Sequence, residues 1–177
     1  MQFETSRLIM RLVIAEDESA SLSHWQDPDW TKYICTPLNQ DQALGRFKKT
    51  LKPWIKGSNE RLVFSITLKS NNTLAGELMF RYIPELSGIA EIGYGLYQNY
   101  QGQGYAFEAT QGLIKYAFEH LAVHKISAGC GINNIASYKL MEKLNMKREA
   151  CLRQHKKIND ALHDFYFYSI LKSEYQK

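Results

Sequence analysis

The chain has 177 residues, a net charge of +4 and three cysteines, with 45% hydrophobic, 23% charged and 12% aromatic residues. That length suits one domain able to bury its own core, and the composition excludes a disordered or fibrous chain. No apolar run approaches the roughly 20 residues that cross a bilayer, MQFETSRLIMR lacks the layout of a signal peptide, and Cys35, Cys130 and Cys151 form no CxxC pair. The expectation is therefore a cytoplasmic protein with no membrane partner, no disulfide framework and no metal.

In chain order, RLIMRLV at 7–13 predicts a first strand, residues 16–25 a helix, and residues 27–37 a loop carrying Trp30 and Tyr33. Leu44, Phe47 and Leu51 stand at helical spacing and predict a second helix over 41–55, with Pro53 near its end. Arg46, Lys48, Lys49, Lys52 and Lys56 crowd that segment. A solvated helix face explains them, and the mild net charge gives no ground to expect a nucleic-acid partner.

From Arg61 the texture changes. RLVFSITLK and TLAGELMFRYI alternate in the manner of strands, with SNN at 70–72 supplying turn chemistry. A second turn, PELSG at 84–88, leads into IAEIGYGLY at 89–97, which completes an antiparallel meander. Ala106, Ala109, Leu113, Ile114, Ala117, Phe118 and Leu121 then recur at three- and four-residue steps, so a long amphipathic helix is expected to lie across the sheet. KISAGCGI at 125–132 reads as a buried strand, 136–144 as a helix, and 147–152 and 164–171 as two closing strands.

The joint at 100–106, YQGQGYA, bares its backbone where the long helix begins. A helix start leaves N–H groups unpaired and carries roughly half a positive charge, so it attracts phosphate, and glycines let the anion approach the amides. A P-loop would need Lys then Ser or Thr after the last glycine, and Tyr105 and Ala106 stand there instead. A dinucleotide fingerprint would need a small residue where Phe107 stands, within a parallel βαβ unit. Taken alone, the glycine pair also fits a tight turn with no ligand.

Gln101, Gly104 and Ala106 match the Q/R-x-x-G-x-G/A signature of the GNAT superfamily of N-acetyltransferases, and AEIGYGLYQNYQGQGYAFEA resembles its ribosomal-protein-alanine (RimJ/RimL-like) branch. ETSRLIMRLVIAED at 4–17 is similar to that branch's opening strand, NNIASYKLMEKLNM at 133–146 to its N-x-x-S helix, and 164–171 to its closing strand. The resemblance implies one α+β domain over 1–177. Its mixed, mostly antiparallel sheet would have about six or seven strands and about four flanking helices, with a splay between the strands near 89–97 and 125–132.

It also implies chemistry: transfer of an acetyl group from acetyl-CoA to a primary amine by direct attack. The CoA diphosphate would lie on the turn formed by Gln101, Gly102, Gln103, Gly104, Tyr105 and Ala106, and the pantetheine along Tyr94, Gly95 and Leu96. Gly95 suits a bulge or a close backbone approach. A backbone N–H in the splay can polarise the thioester carbonyl. Asn134 caps the next helix or bonds the pantetheine, and Ser137 stands near the sulfur.

Many superfamily members use a Tyr seven residues after that Asn to protonate the thiolate, where this chain has Met141; Ser137 is the first substitute and Tyr138 the second. Glu91 is the expected general base, acting through water, with Glu77 in reserve.

By resemblance the acceptor is a protein N-terminal α-amine, ribosomal-protein-alanine in type. Alternatives are a polyamine, amino acid or antibiotic amine, or a non-catalytic acyl-CoA-binding module; the state is monomer or homodimer. Trp30, Tyr33 and Trp54 fit either an acceptor cleft or the core. His120 and His124 lack the HExxH glutamate, and no G-x-S-x-G elbow is present.

Overall fold

The computed structural model describes residues 1–83 and 88–175. Its strands are β1 (Gln2–Glu4), β2 (Leu8–Leu12), β3 (Leu62–Leu68), β4 (Leu74–Tyr82), β5 (Ile89–Leu96), β6 (Lys125–Gly131), β7 (Lys147–Ile158) and β8 (Ala161–Leu171). All eight join one sheet in the order β1-β2-β3-β4-β5-β6-β8-β7. The helices are α1 (Glu18–Gln26), α2 (Pro28–Thr31), α3 (Gln40–Thr50), α4 (Tyr105–His120) and α5 (Ile135–Lys143).

Several boundaries differ from expectation, each for a local reason. The added strand is β1, which pairs antiparallel with β2 around a turn closed by Thr5 N–H to the Leu8 carbonyl at 3.0 Å. The added helix is α2, a single turn with Pro28 in its first position and Asp27 accepting from the Asp29 N–H at 2.8 Å. Helix α3 stops at Thr50 rather than 55, because the residue before Pro53 is pushed out of the helical region. Strands β7 and β8 run on to Ile158 and from Ala161. They close on Asn159 and Asp160, whose φ values of 48° and 62° make a primed hairpin turn. The expected turn at 84–88 falls mostly outside the described residues.

Helix α4 covers one face of the sheet. Its apolar stripe, Ala109, Leu113, Ile114, Ala117 and Phe118, is buried on Leu8, Met10, Leu78, Phe80 and Ile92. The opposite face carries α1 and α3, packed through Leu22, Trp25, Ala43 and Phe47. A buried polar knot ties the start of α1 to the sheet. Arg11 Nη1 and Nη2 donate to Asp17 at 2.7 and 2.8 Å, and Ser65 Oγ donates to the same carboxylate at 2.7 Å.

The feature that positions the site is a break in pairing. Strands β3, β4 and β5 form the expected antiparallel meander, but β5 meets β6 in parallel through only Ile89–Lys125, Ala90–Ile126 and Glu91–Ser127. Strand β6 then follows β8 as far as Gly131. The stretch from Ile92 to Leu96 is left without a ladder partner on the β6 side, and the sheet opens as a wedge there.

Candidate acyl-transfer site

At the wide end of the wedge lies the glycine turn. Gly102 and Gly104 hold φ of +74° and +80°, a left-handed conformation that side chains other than glycine adopt at a cost. Gly104 is the N-cap of α4, and the first helical bond runs from Glu108 N–H to its carbonyl at 3.1 Å. Among the described residues, no protein acceptor meets the amides of Gly102 to Ala106. Those N–H groups are therefore left free at the positive end of a sixteen-residue helix. Gln101 and Gln103 do not compete for them: their side-chain amides donate to the Leu96 and Asn99 carbonyls, which fixes the loop instead.

Arg7, which carried no expectation, braces this turn. Its Nη1 donates to the Gln103 carbonyl at 3.1 Å, its guanidinium lies 4.4 Å from the Tyr105 ring centroid, and its Nε donates to Glu108 at 2.6 Å. Glu108 also accepts from Thr5 Oγ1, Ser6 Oγ and the Arg7 N–H. Burial raises the Glu108 carboxyl, but those four donors outweigh it and hold the group down at about 2.

Inside the wedge, Tyr94 points from β5 toward α5. Its hydroxyl donates to the Ser137 carbonyl at 3.1 Å and lies 3.0 Å from Ser137 Oγ, and burial pushes its acidity constant up. Asn134 takes the capping role: its side chain accepts the Ser137 N–H at 3.2 Å. Met141 is fully buried in the core, so its position adds no polar group. Tyr138 packs edge-on to the Tyr166 ring, with centroids 5.8 Å apart, and makes no contact with Ser137 Oγ among the described hydrogen bonds.

No register shift falls at Gly95, where a bulge was one expectation; β4 and β5 pair continuously there, Glu77 opposite Gly95, and the irregularity on β4 lies on its other side, against β3 at Ile66 and Thr67. The close approach at Gly95 comes from a ring: a Cβ would stand 2.5 Å from Trp30 Cη2.

The wedge opens on the far face of the sheet into a cavity of about 450 Å³, shared by Gly95, Cys130, Asn134 and Ser137 on one side and Trp25, Trp30 and Tyr33 on the other. Both expected carboxylates line it, though differently. Glu91 is engaged by Arg81, whose Nε donates to Oε2 at 2.8 Å. Glu77 accepts from Ser21 Oγ at 3.2 Å, and burial raises its carboxyl against the opposing pull of Arg46. Trp54, by contrast, stacks on Tyr82 in the core and takes no part. Among the described residues no group of His, Cys, Asp or Glu could hold a metal, and no helix is long and apolar enough to cross a membrane.

A wedge between parallel strands, with a bare helix start at its mouth, is the geometry the GNAT resemblance implied. A family model described as an acetyltransferase (GNAT) domain matches residues 7–147. The chain belongs to the GNAT acetyltransferase family. It is an N-acetyltransferase, 36% identical to the uncharacterized N-acetyltransferase p20 of Bacillus licheniformis over 97% of this chain and 96% of that one.

Its fold is shared with RimL, a ribosomal L7/L12 α-N-protein acetyltransferase solved with coenzyme A, at TM-score 0.84, 20% identity, and 97% and 98% coverage of the two chains. It is shared equally with a spermidine N-acetyltransferase from Vibrio cholerae solved with CoA and spermine, at TM-score 0.84, 21% identity, and 96% and 98% coverage. Those two act on different amines, so the shared fold leaves the acceptor open.

Proposed function

We propose that the chain moves the acetyl group of acetyl-CoA to a primary α-amine, that of a protein N-terminus. The observation that carries this reading is the continuous path from the free amides of Gly102 to Ala106, through the wedge, to a cavity holding Glu77, Glu91 and Ser137. A diphosphate fits the first part, because the unpaired N–H groups and the helix dipole both favour an anion there. Asn134 and the unladdered backbone from Ile92 to Leu96 would hold the pantetheine. Bound acetyl-CoA supplies an activated thioester.

The chain's own residues then manage two protons. An arriving ammonium has to lose one before its nitrogen can attack, and Glu77 is the better-placed acceptor. It lines the cavity opposite Gly95, and burial raises its carboxyl toward a working range. Glu91 has one oxygen committed to Arg81 and serves second.

The departing thiolate takes the other proton from Ser137 Oγ, which Tyr94 can resupply across 3.0 Å. That pair stands in for the tyrosine that Met141 replaces. Release of free thiol from acetyl-CoA in the presence of N-terminal peptides tests the reading. Thiol release with a panel of peptides or smaller amines supports acetyl transfer, and binding of acetyl-CoA with no release from any amine overturns it in favour of a silent acyl-CoA-binding module.

A further inference from the structure

Resting on that reading, the charges lining the cavity narrow the acceptor. Arg46 from α3, Arg61 just before β3 and Lys156 from β7 all border it. Among the described residues none of the three forms an ion pair within 4.0 Å, although Glu77 and Glu91 border the same space. Arg46 lies with its guanidinium carbon 3.6 Å from the Trp25 ring centroid, and Lys156 Nζ is 5.7 Å from that of Phe165. Although they come from three separate elements, all three cations act on the Cys35 thiol, which also lines the cavity; burial pushes that thiol up and the cations pull it down. All three therefore lie within electrostatic reach of the corner that thiol occupies.

Arg46 is half-buried while Arg61 and Lys156 border the cavity from exposed positions; like charges brought to one space repel one another, and that cost is recovered when an anion arrives. Trp25 stacking accounts for the placement of Arg46 and the Phe165 ring for that of Lys156, while Arg61 has neither among the described residues. A polyamine, positive along its whole length, would meet repulsion in that corner. The wedge side of the cavity carries the opposite sign, since Glu77 stands there opposite Gly95, within the pull of Arg46 but in no ion pair with it.

We propose that the acceptor is an amine carrying a carboxylate a few atoms away, with the carboxylate held by Arg46, Arg61 and Lys156 and the amine presented to Glu77 at the wedge. A free acidic amino acid and a peptide with an acidic residue at its N-terminus share this chemistry.

The test compares kcat/KM of the full chain for glutamate, an Asp-Ala-Ala peptide, alanine amide and spermidine. Separately, quenching of Trp25 and Trp30 fluorescence by the same four amines, without acetyl-CoA, reads binding alone. The acidic amines are expected to exceed alanine amide, and spermidine to fall below it.

Arg61→Gln and Lys156→Met lie at exposed positions, and a thermal melt checks that they fold. Each is expected to reduce the advantage of the acidic amine about tenfold, one charged hydrogen bond's worth. Spermidine matching the acidic amines, or an advantage unchanged in both variants, would overturn the proposal while leaving acetyl transfer intact. No quenching by either acidic amine would also overturn it. Quenching by an acidic amine without thiol release would uphold the charge assignment and overturn the transferase reading. The ratio of glutamate to peptide tells a free amino acid from a protein N-terminus.

Discussion

The Tyr94 hydroxyl reaches from β5 to α5 and meets Ser137 twice, donating to its carbonyl at 3.1 Å and lying 3.0 Å from its Oγ. Burial raises the Tyr94 acidity constant, so the phenol stays protonated through the working pH range and can hand its proton onward only as it takes up another from water. Ser137→Ala is expected to lower kcat about a hundredfold. Tyr94→Phe keeps the ring in place and is expected to lower kcat about tenfold, with the CoA Kd unchanged. Steady-state kinetics beside calorimetry read both; wild-type kcat in Tyr94→Phe would remove the hydroxyl from the proton path.

Gly102 separates binding from folding. A Cβ there meets nothing within 4 Å, so Gly102→Ala adds no clash, and its stability cost is that of a left-handed alanine, roughly 1 kcal/mol. The same methyl would stand beside the free amides. CoA affinity is expected to fall tenfold or more by calorimetry while the melting temperature drops only a few degrees.

The two carboxylates of the cavity are distinguished by pH. A base has to be ionised to accept a proton, so kcat/KM should rise with pH through an inflection above the ordinary carboxylate range if Glu77 serves, because burial raises its carboxyl. Glu77→Gln is expected to lower kcat/KM about a hundredfold, and Glu91→Gln to keep the inflection. The stability sign is opposite. A carboxyl raised by folding loses stability as pH climbs past its unfolded value near 4.5, so Glu77→Gln should melt no lower than the native chain at pH 8.

Glu108 titrates the other way. Held at about 2 by Thr5, Ser6 and Arg7 against the effect of burial, its stabilising contribution is complete above the ordinary glutamate value of 4.5 and fades as pH falls toward 2. Glu108→Gln should therefore melt lower than the native chain at pH 7, and the gap should narrow steadily below pH 5. A gap independent of pH would mean that the carboxylate charge is not what braces the turn.

Most of this architecture was legible because each element keeps one period. The alternation of β3 to β5 and the three- and four-residue steps of α4 need no tertiary information to be seen. The glycine turn showed in its local backbone chemistry, while Asn134 and Ser137 were marked by the N-x-x-S resemblance.

What escaped depends on contacts between distant segments. Arg46 sits in a lysine-rich run that reads as solvated, yet Ala43, Arg46 and Phe47 share one helical stripe, and the burial of Ala43 and Phe47 carries Arg46 inward to Trp25. That phase was the available signal. The Tyr94 side chain was hidden because its role depends on α5 lying beside the wedge, more than forty residues away in sequence. Arg7 carried no signal of its own, because its direction is fixed by Glu108, 101 residues away in sequence.

A crystal structure of the chain with coenzyme A bound tests the central claim most directly. The account predicts diphosphate oxygens within hydrogen-bond distance of the amides from Gly102 to Ala106, with the thiol in the wedge beside Ser137. A diphosphate seated elsewhere, or a ladder closed between β5 and β6 along Ile92 to Leu96, would contradict it.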